Sequence, residues 1–228
     1  MPPATGPCNS PGMSETRRLA MFPLSTVLFP RANLPLHVFE PRYRAMTADC
    51  LAGDRCFGVV LIARGSEVGG GDHRRDVGTV AHIEHASPLE DGRWVLMTRG
   101  VERIRVLEWL SDDPYPSAMV EDFPLPAGQG DRGAGDRGAG AGLARAEGAV
   151  RRVRALLSEM GEVAALPPQL DLGDDPVTRA WLLCALAPLT PLDGQRLLEQ
   201  AEEAERLDAL VELCEARSDD LSRMLAGG

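Results

Sequence analysis

The stretch MFPLSTVLFPRANLPLHVFEPRY, at residues 21–43, is the most informative part of this chain, because a strand pattern changes there into a helix pattern. Leu34, Leu36 and Val38 alternate with other residues, which places them on one face of a half-buried strand. Pro41 suits the first turn of a helix. The stretch therefore predicts a strand, a proline-containing turn, a second strand and the start of a helix.

The helix that starts at Pro41 follows from a change of period. Its apolar residues recur at helical spacing: Tyr43, Met46, Cys50 and Leu51. Glu40 places a negative charge at the positive end of the helix, and Gly53 suits the left-handed residue that often follows a helix. A sheet and a helix are thus expected side by side.

The chain up to Phe123 continues with strand patterns. Residues 57–63 are apolar throughout, which is typical of a strand buried on both faces. Alternating segments follow at residues 77–83, 94–98, 101–109 and 118–123. A turn around residues 91–92 predicts a hairpin with a loop longer than two residues. About six short strands and one early helix indicate a closed or strongly curved antiparallel sheet.

The C-terminal part has a different character. Residues 124–142 contain the repeat GDRGAGDRGAG and predict a flexible linker. From residue 143 to 226 the apolar spacing is helical, with helix caps at Asp175 and Thr190, and this indicates a bundle of three or four helices. With a disordered tail at residues 1–18 and a β-rich domain at 19–123, the fold class is α+β.

Composition excludes several functions. The net charge is −10 and all 24 basic residues are arginine. Without lysine there is no Walker A ATPase site, no Schiff base and no serine-lysine peptidase site. The acidic balance argues against binding to phosphate backbones. Neither a membrane-spanning run nor a secretory signal is expected, so we predict a cytoplasmic protein, with Met13 as an alternative start to Met1.

Several segments resemble the N-terminal substrate-binding domain of Lon proteases, in the form of a stand-alone bacterial member without the ATPase and peptidase domains. The segments are FPLSTVLFP (22–30), LPLHVFEPRY (34–43), FGVVLI (57–62), VGTVAHI (77–83), the run from Gly92 to Val106, YPSAMVE (115–121) and LAPLTPLDGQRLLE (186–199). The resemblance implies a curved, pseudo-barrel sheet of the PUA-like kind followed by a helical domain.

The spacing of the histidine, cysteine and serine residues gives little support to a metal site or a catalytic site. His82 and His85 have an odd offset, which on a regular strand sends their side chains to opposite faces. Cys50 and Cys56 have the wrong separation for a zinc knuckle. Ser66 and His73 share a glycine-rich loop in which no residue orients them, and no nucleophile elbow occurs. We expect no catalytic, cofactor-binding or metal-binding residue.

Two polar groups remain. Glu40, Arg42 and Tyr43 are either a recognition site on the rim of the sheet or structural residues, with Glu40 on helix amides, Arg42 paired with a carboxylate and Tyr43 in the core. The structural interpretation is favoured, because the helix end and the apolar stripe already explain them. Arg99, Arg103 and Arg105 form a basic stripe whose simplest explanation is a solvated face. In an RNA-binding sheet, such a stripe could instead contact phosphate groups.

By resemblance, the implied function is noncatalytic recognition of unfolded or tagged polypeptides, as an adaptor for a separate protease or chaperone in proteolysis or quality control. No cofactor or membrane is implied, and a homodimer is compatible with the sequence. Two alternatives stay open at this point: a hydrolase with an unrecognised site, and a nucleic-acid-binding module of the PUA-like kind.

Overall fold

The computed structural model describes residues 16–64, 73–123 and 136–226. The chain divides into two compact units, one up to Pro124 and one from Leu125. Most of the predicted N-terminal tail, the loop at residues 65–72 and the first part of the predicted linker lie outside the described residues. No helix in the described ranges is long and apolar enough to cross a membrane.

The first unit contains six strands and one helix. In chain order they are β1 (Arg17–Leu24), β2 (Asn33–Val38), α1 (Pro41–Ala52), β3 (Cys56–Arg64), β4 (His73–Pro88), β5 (Trp94–Trp109) and β6 (Ser117–Asp122). The strands form one sheet in the order β2-β5-β4-β3-β1-β6, with an additional pairing between β5 and β6. Because of that pairing, β1, β3, β4, β5 and β6 form a closed ring, and β2 lies outside it.

The sheet is mixed, whereas the sequence predicted an antiparallel one. β1 runs parallel to β3, with Met21 opposite Gly58 and Leu24 opposite Leu61. All other pairings are antiparallel. The reason is the long connection through β2 and α1, which returns the chain to the starting end of β1 before β3 begins.

Alternation along the strands separates two layers. Leu19 and Met21 of β1 and Val60 of β3 belong to a cluster inside the ring that also includes Val80, Ile104, Val106, Ala118 and Val120. The next residue of β1, Phe22, lies on the other side of the sheet and contacts Phe57, with ring centroids 6.0 Å apart. β3 is therefore buried on both faces, as its uninterrupted apolar run predicted.

β5 is a single strand of 16 residues, not the two strands that the sequence predicted. Its first part pairs with β2 and its second part with β6, while β4 lies on its other side. Register shifts occur in β4–β5 between Thr79 and Ala81 and in β5–β6 between Val106 and Glu108. Such irregularities bend strands and allow the ring to close.

Gly100 holds the connection between β1 and β2 close to β5. Its amide donates to the carbonyl of Ala32 and its carbonyl accepts from the amide of Arg31, each at 2.8 Å. A Cβ atom at position 100 would lie 2.2 Å from the carbonyl oxygen of Phe29. Only glycine fits this close approach of two backbones.

α1 begins at Pro41, as predicted, but ends differently. Gly53 has φ −108° and is not left-handed. The residue with positive φ after the helix is instead Arg55, at φ 64°. Its backbone is held on both sides, since its amide donates to Cys50 and its carbonyl accepts from Ile83. Contacts with β4 thus override the preference for glycine.

The second unit contains α2 (Asp136–Glu159), α3 (Pro176–Leu186), α4 (Pro191–Glu199) and α5 (Glu203–Ala226). α2 begins at residue 136, before the predicted boundary at 143, and β1 of the first unit begins at Arg17 rather than at 19. The predicted caps are present. Asp175 accepts from the amide of Thr178, and Thr190 accepts from the amide of Asp193.

Arg206 of α5 is fully buried, which the sequence analysis missed. Its guanidinium carbon lies 3.7 Å from the ring centroid of Trp181 in α3, and one guanidinium nitrogen lies 3.7 Å from a carboxylate oxygen of Glu203. None of its side-chain nitrogens has a hydrogen-bond partner within the described residues. Burial lowers the pKa of Arg206 because it disfavours the charged form.

Replacing Arg206 with methionine should raise the free energy of unfolding, by about 1 kcal/mol, because a buried charge with unpaired donors costs more than its ring contact returns. Trp181→Ala should lower it by about 3 kcal/mol through the cavity it leaves. Thermal and urea unfolding of both variants measures this. Arg223→Met is the control, since the Arg223 side chain is 76% exposed and should change little. A clear loss of stability in Arg206→Met would contradict the prediction.

Candidate functional site

A groove with a volume of about 200 Å³ lies along β2. One wall is the backbone and side chains of residues 35–39, at the end of β2 and just beyond it. The floor consists of Phe22 and Leu24 from β1 and Tyr43 from α1. We call this feature the β2 groove. Its lining is apolar apart from His37, Glu40 and the tyrosine hydroxyl.

The floor is held by aromatic packing. The rings of Phe22 and Tyr43 stack with centroids 4.1 Å apart and an interplanar angle of 28°. Both residues are buried, as is Leu24. The strand pattern of β1 and the helical pattern of α1 each direct one aromatic side chain to this point. The floor is therefore part of the core and is formed before anything enters the groove.

The wall of the groove is an edge strand. Within the described residues, β2 pairs with β5 alone, from Asn33 opposite Arg99 to Val38 opposite Trp94. Pro35 lies in the middle of this strand and has no amide hydrogen, which is tolerated where the amide position faces away from the sheet. The other edge of β2 thus offers backbone groups next to an apolar groove, except that Pro35 supplies no donor there.

Phe39 lies at the rim of the groove and is the residue that the sequence analysis missed. It is 55% exposed, although it directly follows the buried Val38. The alternation of β2 contained the signal. Asn33, Pro35 and His37 are exposed while Leu36 and Val38 are buried, so the next odd position faces solvent.

Glu40 and Arg42 lie at the mouth of the groove and pair with each other. The Nε atom of Arg42 donates to a carboxylate oxygen of Glu40 at 3.1 Å. The Arg42 guanidinium also lies over the Tyr43 ring, 4.5 Å from its centroid. The carboxylate of Glu40 makes no hydrogen bond to the helix amides, contrary to expectation. Arg42 paired with a carboxylate and Tyr43 in the core were both predicted, and both are confirmed.

His82 and His85 share one face of the sheet, which corrects the prediction that they diverge. A register shift between Ile83 and His85 places one extra residue in β4. His82 is consequently opposite Arg99 and His85 opposite Met97, and these two positions of β5 lie on the same face. The described residues contain no group of three or more potential metal ligands. The absence of a metal site at these two histidines stays a prediction from the sequence.

The predicted basic stripe is not a uniform solvated face. Arg103 is buried, and both Arg103 and Arg105 lie over the ring of Phe123, at 4.4 and 4.3 Å from its centroid. The guanidinium of Arg105 lies 3.8 Å from the carboxylate of Glu121, and that of Arg99 lies 4.0 Å from Glu84. These arginines are thus held by neighbouring aromatic and acidic side chains.

Of the Ser66 and His73 pair, the structure describes only His73. Ser66 lies outside the described residues, and His73 is exposed at the start of β4. Burial, with the charges of Asp54 and Asp49, raises the pKa of the Cys50 thiol to about 12, so this thiol is protonated at neutral pH. Its Sγ donates to the carbonyl of Cys56 at 3.3 Å. This arrangement suits packing and not nucleophilic attack.

A protein-family comparison agrees with this geometry. The model of the ATP-dependent protease La (LON) substrate-binding domain matches residues 18–216. The chain therefore belongs to the Lon substrate-binding domain family, whose domain is a noncatalytic module. The expectation of a Lon N-terminal domain relationship is confirmed, and it spans both units.

Curated relatives include Lon protease 2 of Herpetosiphon aurantiacus, which is 31% identical over 200 residues, covering 86% of this chain and 23% of the relative. The LON peptidase N-terminal domain and RING finger protein of Schizosaccharomyces pombe is 29% identical over 119 residues, covering 46% of this chain and 24% of the relative. The chain thus spans about a quarter of the length of these relatives.

Solved structures show the same fold. A Lon N-terminal domain protein from Xanthomonas campestris superposes with a TM-score of 0.58 at 26% identity, covering 86% of this chain and 98% of that one. The N-terminal domain of a Lon protease from the Mycobacterium avium complex also gives a TM-score of 0.58, at 17% identity, with coverage of 87% and 98%.

The floor and the rim of the β2 groove should respond differently to truncation. Tyr43→Ala should lower the free energy of unfolding by about 3 kcal/mol or more, because it removes a buried ring stacked on Phe22. Phe39→Ala should cost about 1 kcal/mol or less, since its side chain is mostly in solvent. Urea unfolding monitored by circular dichroism measures both. Equal losses in the two variants would show that Phe39 is part of the core.

Proposed function

We propose that this chain is a noncatalytic polypeptide-binding module that takes an extended segment of a client along β2. The client backbone adds a strand to the open edge of β2, and one of its apolar side chains enters the β2 groove. The observation that carries this proposal is the juxtaposition of an edge strand with a preformed apolar groove, whose rim carries the exposed ring of Phe39.

The expected affinity is modest. Burying one large apolar side chain contributes about 1.5–3 kcal/mol, and each backbone hydrogen bond adds about 0.5–1.5 kcal/mol. Ordering a flexible segment opposes these gains. A short contact of this kind suits reversible capture of a client, not permanent complex formation.

The same geometry favours unfolded or tagged polypeptides over folded ones. Strand addition requires a client segment with free backbone donors and acceptors, whereas folded proteins satisfy these groups internally. An apolar side chain must also be free to leave its own core. A folded client meets neither condition.

We further propose that the module acts as a cytoplasmic adaptor that presents clients to a separate protease or chaperone. The β-rich unit is proposed to be of the PUA-like kind and the helical unit to be a bundle, in the arrangement expected at residues 19–123 and 143–226. The ring of β1, β3, β4, β5 and β6 supports the first assignment, and the packing of α2 against α3 and α5 supports the second.

The two alternative functions have less support. For a hydrolase, the candidate nucleophiles and histidines do not converge within the described residues, and the Cys50 thiol is protonated at neutral pH. For a nucleic-acid-binding module, the stripe at Arg99, Arg103 and Arg105 would have to present free charge. Its members lie instead against Glu84, Glu121 and the ring of Phe123.

Replacing Phe39 with serine should weaken binding of a permanently unfolded polypeptide by about tenfold, with no loss of folding, because a rim aromatic of this size contributes more than 1 kcal/mol to such contacts. Fluorescence anisotropy at low and moderate salt measures the effect, with the folded form of the same polypeptide as reference. Leu107→Ser is the matched control, since Leu107 of β5 is 50% exposed and Phe39 55%.

The control variant should bind as the unsubstituted protein does, and salt should matter little. If Phe39→Ser and Leu107→Ser behave alike, the β2 groove is not the binding site. If the unsubstituted protein binds neither form, capture of unfolded clients is wrong for this chain.

Strand addition predicts sensitivity to the client backbone. A bound peptide should lose affinity at least about tenfold when alternate amides are N-methylated on the edge that faces β2, because each methyl removes a donor and clashes with the strand. Methylation in the other register should have little effect. Titrations of the two peptide series distinguish the two registers, and equal behaviour of both would leave only side-chain recognition.

A further inference from the structure

A second groove lies on the helical unit, between α2 and α5, with a volume of about 550 Å³. Its floor is made of small side chains. Ala144, Gly148 and Ala149 line it from α2, and Val211 and Ser218 line it from α5. Small residues let another helix approach closely. We call this feature the α2–α5 groove.

The two walls of the α2–α5 groove carry opposite charge. Arg145 and Arg152 lie on the α2 side, two helical turns apart. Asp208, Glu212 and Glu215 lie on the α5 side, again spanning two turns. A basic row on α2 and an acidic row on α5 therefore border the two sides of the groove.

These rows are incompletely neutralised within the chain. Arg145 pairs with Asp208 at 2.7 Å, and both side chains are more than half exposed. No ion pair of Arg152, Glu212 or Glu215 occurs among the described residues, and all three are exposed. The face thus keeps one unmatched cation on α2 and two unmatched anions on α5.

Gly148 adds room at the centre of the groove. A Cβ atom at this position would meet nothing within 4 Å, so the space above it is open. Glycine is a poor choice for the middle of a 24-residue helix, where alanine would be more stable. Close approach of another helix explains its presence without any requirement from the fold of the monomer.

We propose that the α2–α5 groove is an interface between two copies of this chain. A two-fold axis parallel to the helices places α2 of one copy opposite α5 of the other. The basic row of each copy then meets the acidic row of its partner, so the same face is complementary to itself. A two-fold axis perpendicular to the helices would place α2 opposite α2 and α5 opposite α5. Arginines would then face arginines and carboxylates would face carboxylates, so this arrangement is disfavoured.

Pairing along both whole helices would give an interface of ordinary size. α2 and α5 have 24 residues each and are about 36 Å long, and two adjacent helices are roughly 20 Å wide, which gives about 700 Å² for each copy. Standard interfaces bury about 800 Å² for each partner. Pairing would also place two β2 grooves on one particle, which raises the avidity for a client that offers two apolar segments.

Sedimentation equilibrium of the full chain over a range of concentrations tests this interface. The unsubstituted protein should form a dimer. Arg152→Glu and Glu215→Arg should each raise the dissociation constant at least tenfold, because each turns the two symmetry-related attractive contacts between these positions into repulsive ones. Gly148→Leu should do the same by filling the groove. Circular dichroism confirms that each variant is folded.

Mixing provides the decisive result. When the Arg152→Glu and Glu215→Arg proteins are combined, every contact between these positions is again of opposite sign, and the mixture should dimerise more tightly than either variant does alone. Arg223→Glu, which alters an exposed arginine of α5 outside the groove, should leave the dissociation constant unchanged.

A protein that stays monomeric at all concentrations overturns the proposal, as does a dimer that is insensitive to Arg152→Glu and Gly148→Leu. A mixture that remains monomeric overturns the assigned two-fold arrangement and with it this interface. None of these results depends on client binding, since the β2 groove is unaltered in all variants.

Discussion

The β-rich unit depends on the hydrogen bonding of one long strand. β5 pairs with β4 along one side, while its other side is divided between β2 and β6. The segment of β5 that pairs with β6 closes the ring. The segment that pairs with β2 leaves β2 outside the ring. A sheet that closes on itself normally removes its edges. Here the division of β5 leaves one edge strand outside the closure, and the β2 groove lies along that edge.

In the proposed binding mode, stability and binding depend on different residues of the same groove. Phe22 and Tyr43 form its floor and are stacked in the core, so they contribute to folding whether or not a client is present. Phe39 at the rim contributes little to folding because its ring is largely in solvent. A preformed floor would lower the entropic cost of binding in the proposed mode.

The helical unit has features that its own folding does not need. Arg206 lies buried against Trp181 with no hydrogen-bond partner for its guanidinium in the described part of the chain, and this costs free energy. The exposed rows on α2 and α5 are likewise poorly matched within one copy. The floor of the α2–α5 groove, with Gly148 in the middle of a long helix, is what a close helix contact with a second copy would use.

The spacing of apolar residues and the positions of proline and helix-capping residues determined much of the local structure. The alternation of Leu34, Leu36 and Val38 predicted β2, Pro41 predicted the start of α1, and Asp175 and Thr190 predicted two helix caps. These features depend on neighbours within a few residues, so the sequence contains the required information. The family relationship also followed from the sequence, since segments distributed along most of the chain carry it.

The pairing of the strands and the burial of several residues arise from tertiary packing and not from local patterns. The parallel pairing of β1 with β3, the division of β5 and the closure of the ring join residues far apart in the chain, and periodicity contains no information on such partners. An extra residue in β4 brought His82 and His85 to one face, and Phe123 covered Arg103. The β2 groove is of this kind too, because its wall comes from β2 while its floor comes from β1 and α1, which local patterns specify separately and only packing brings together.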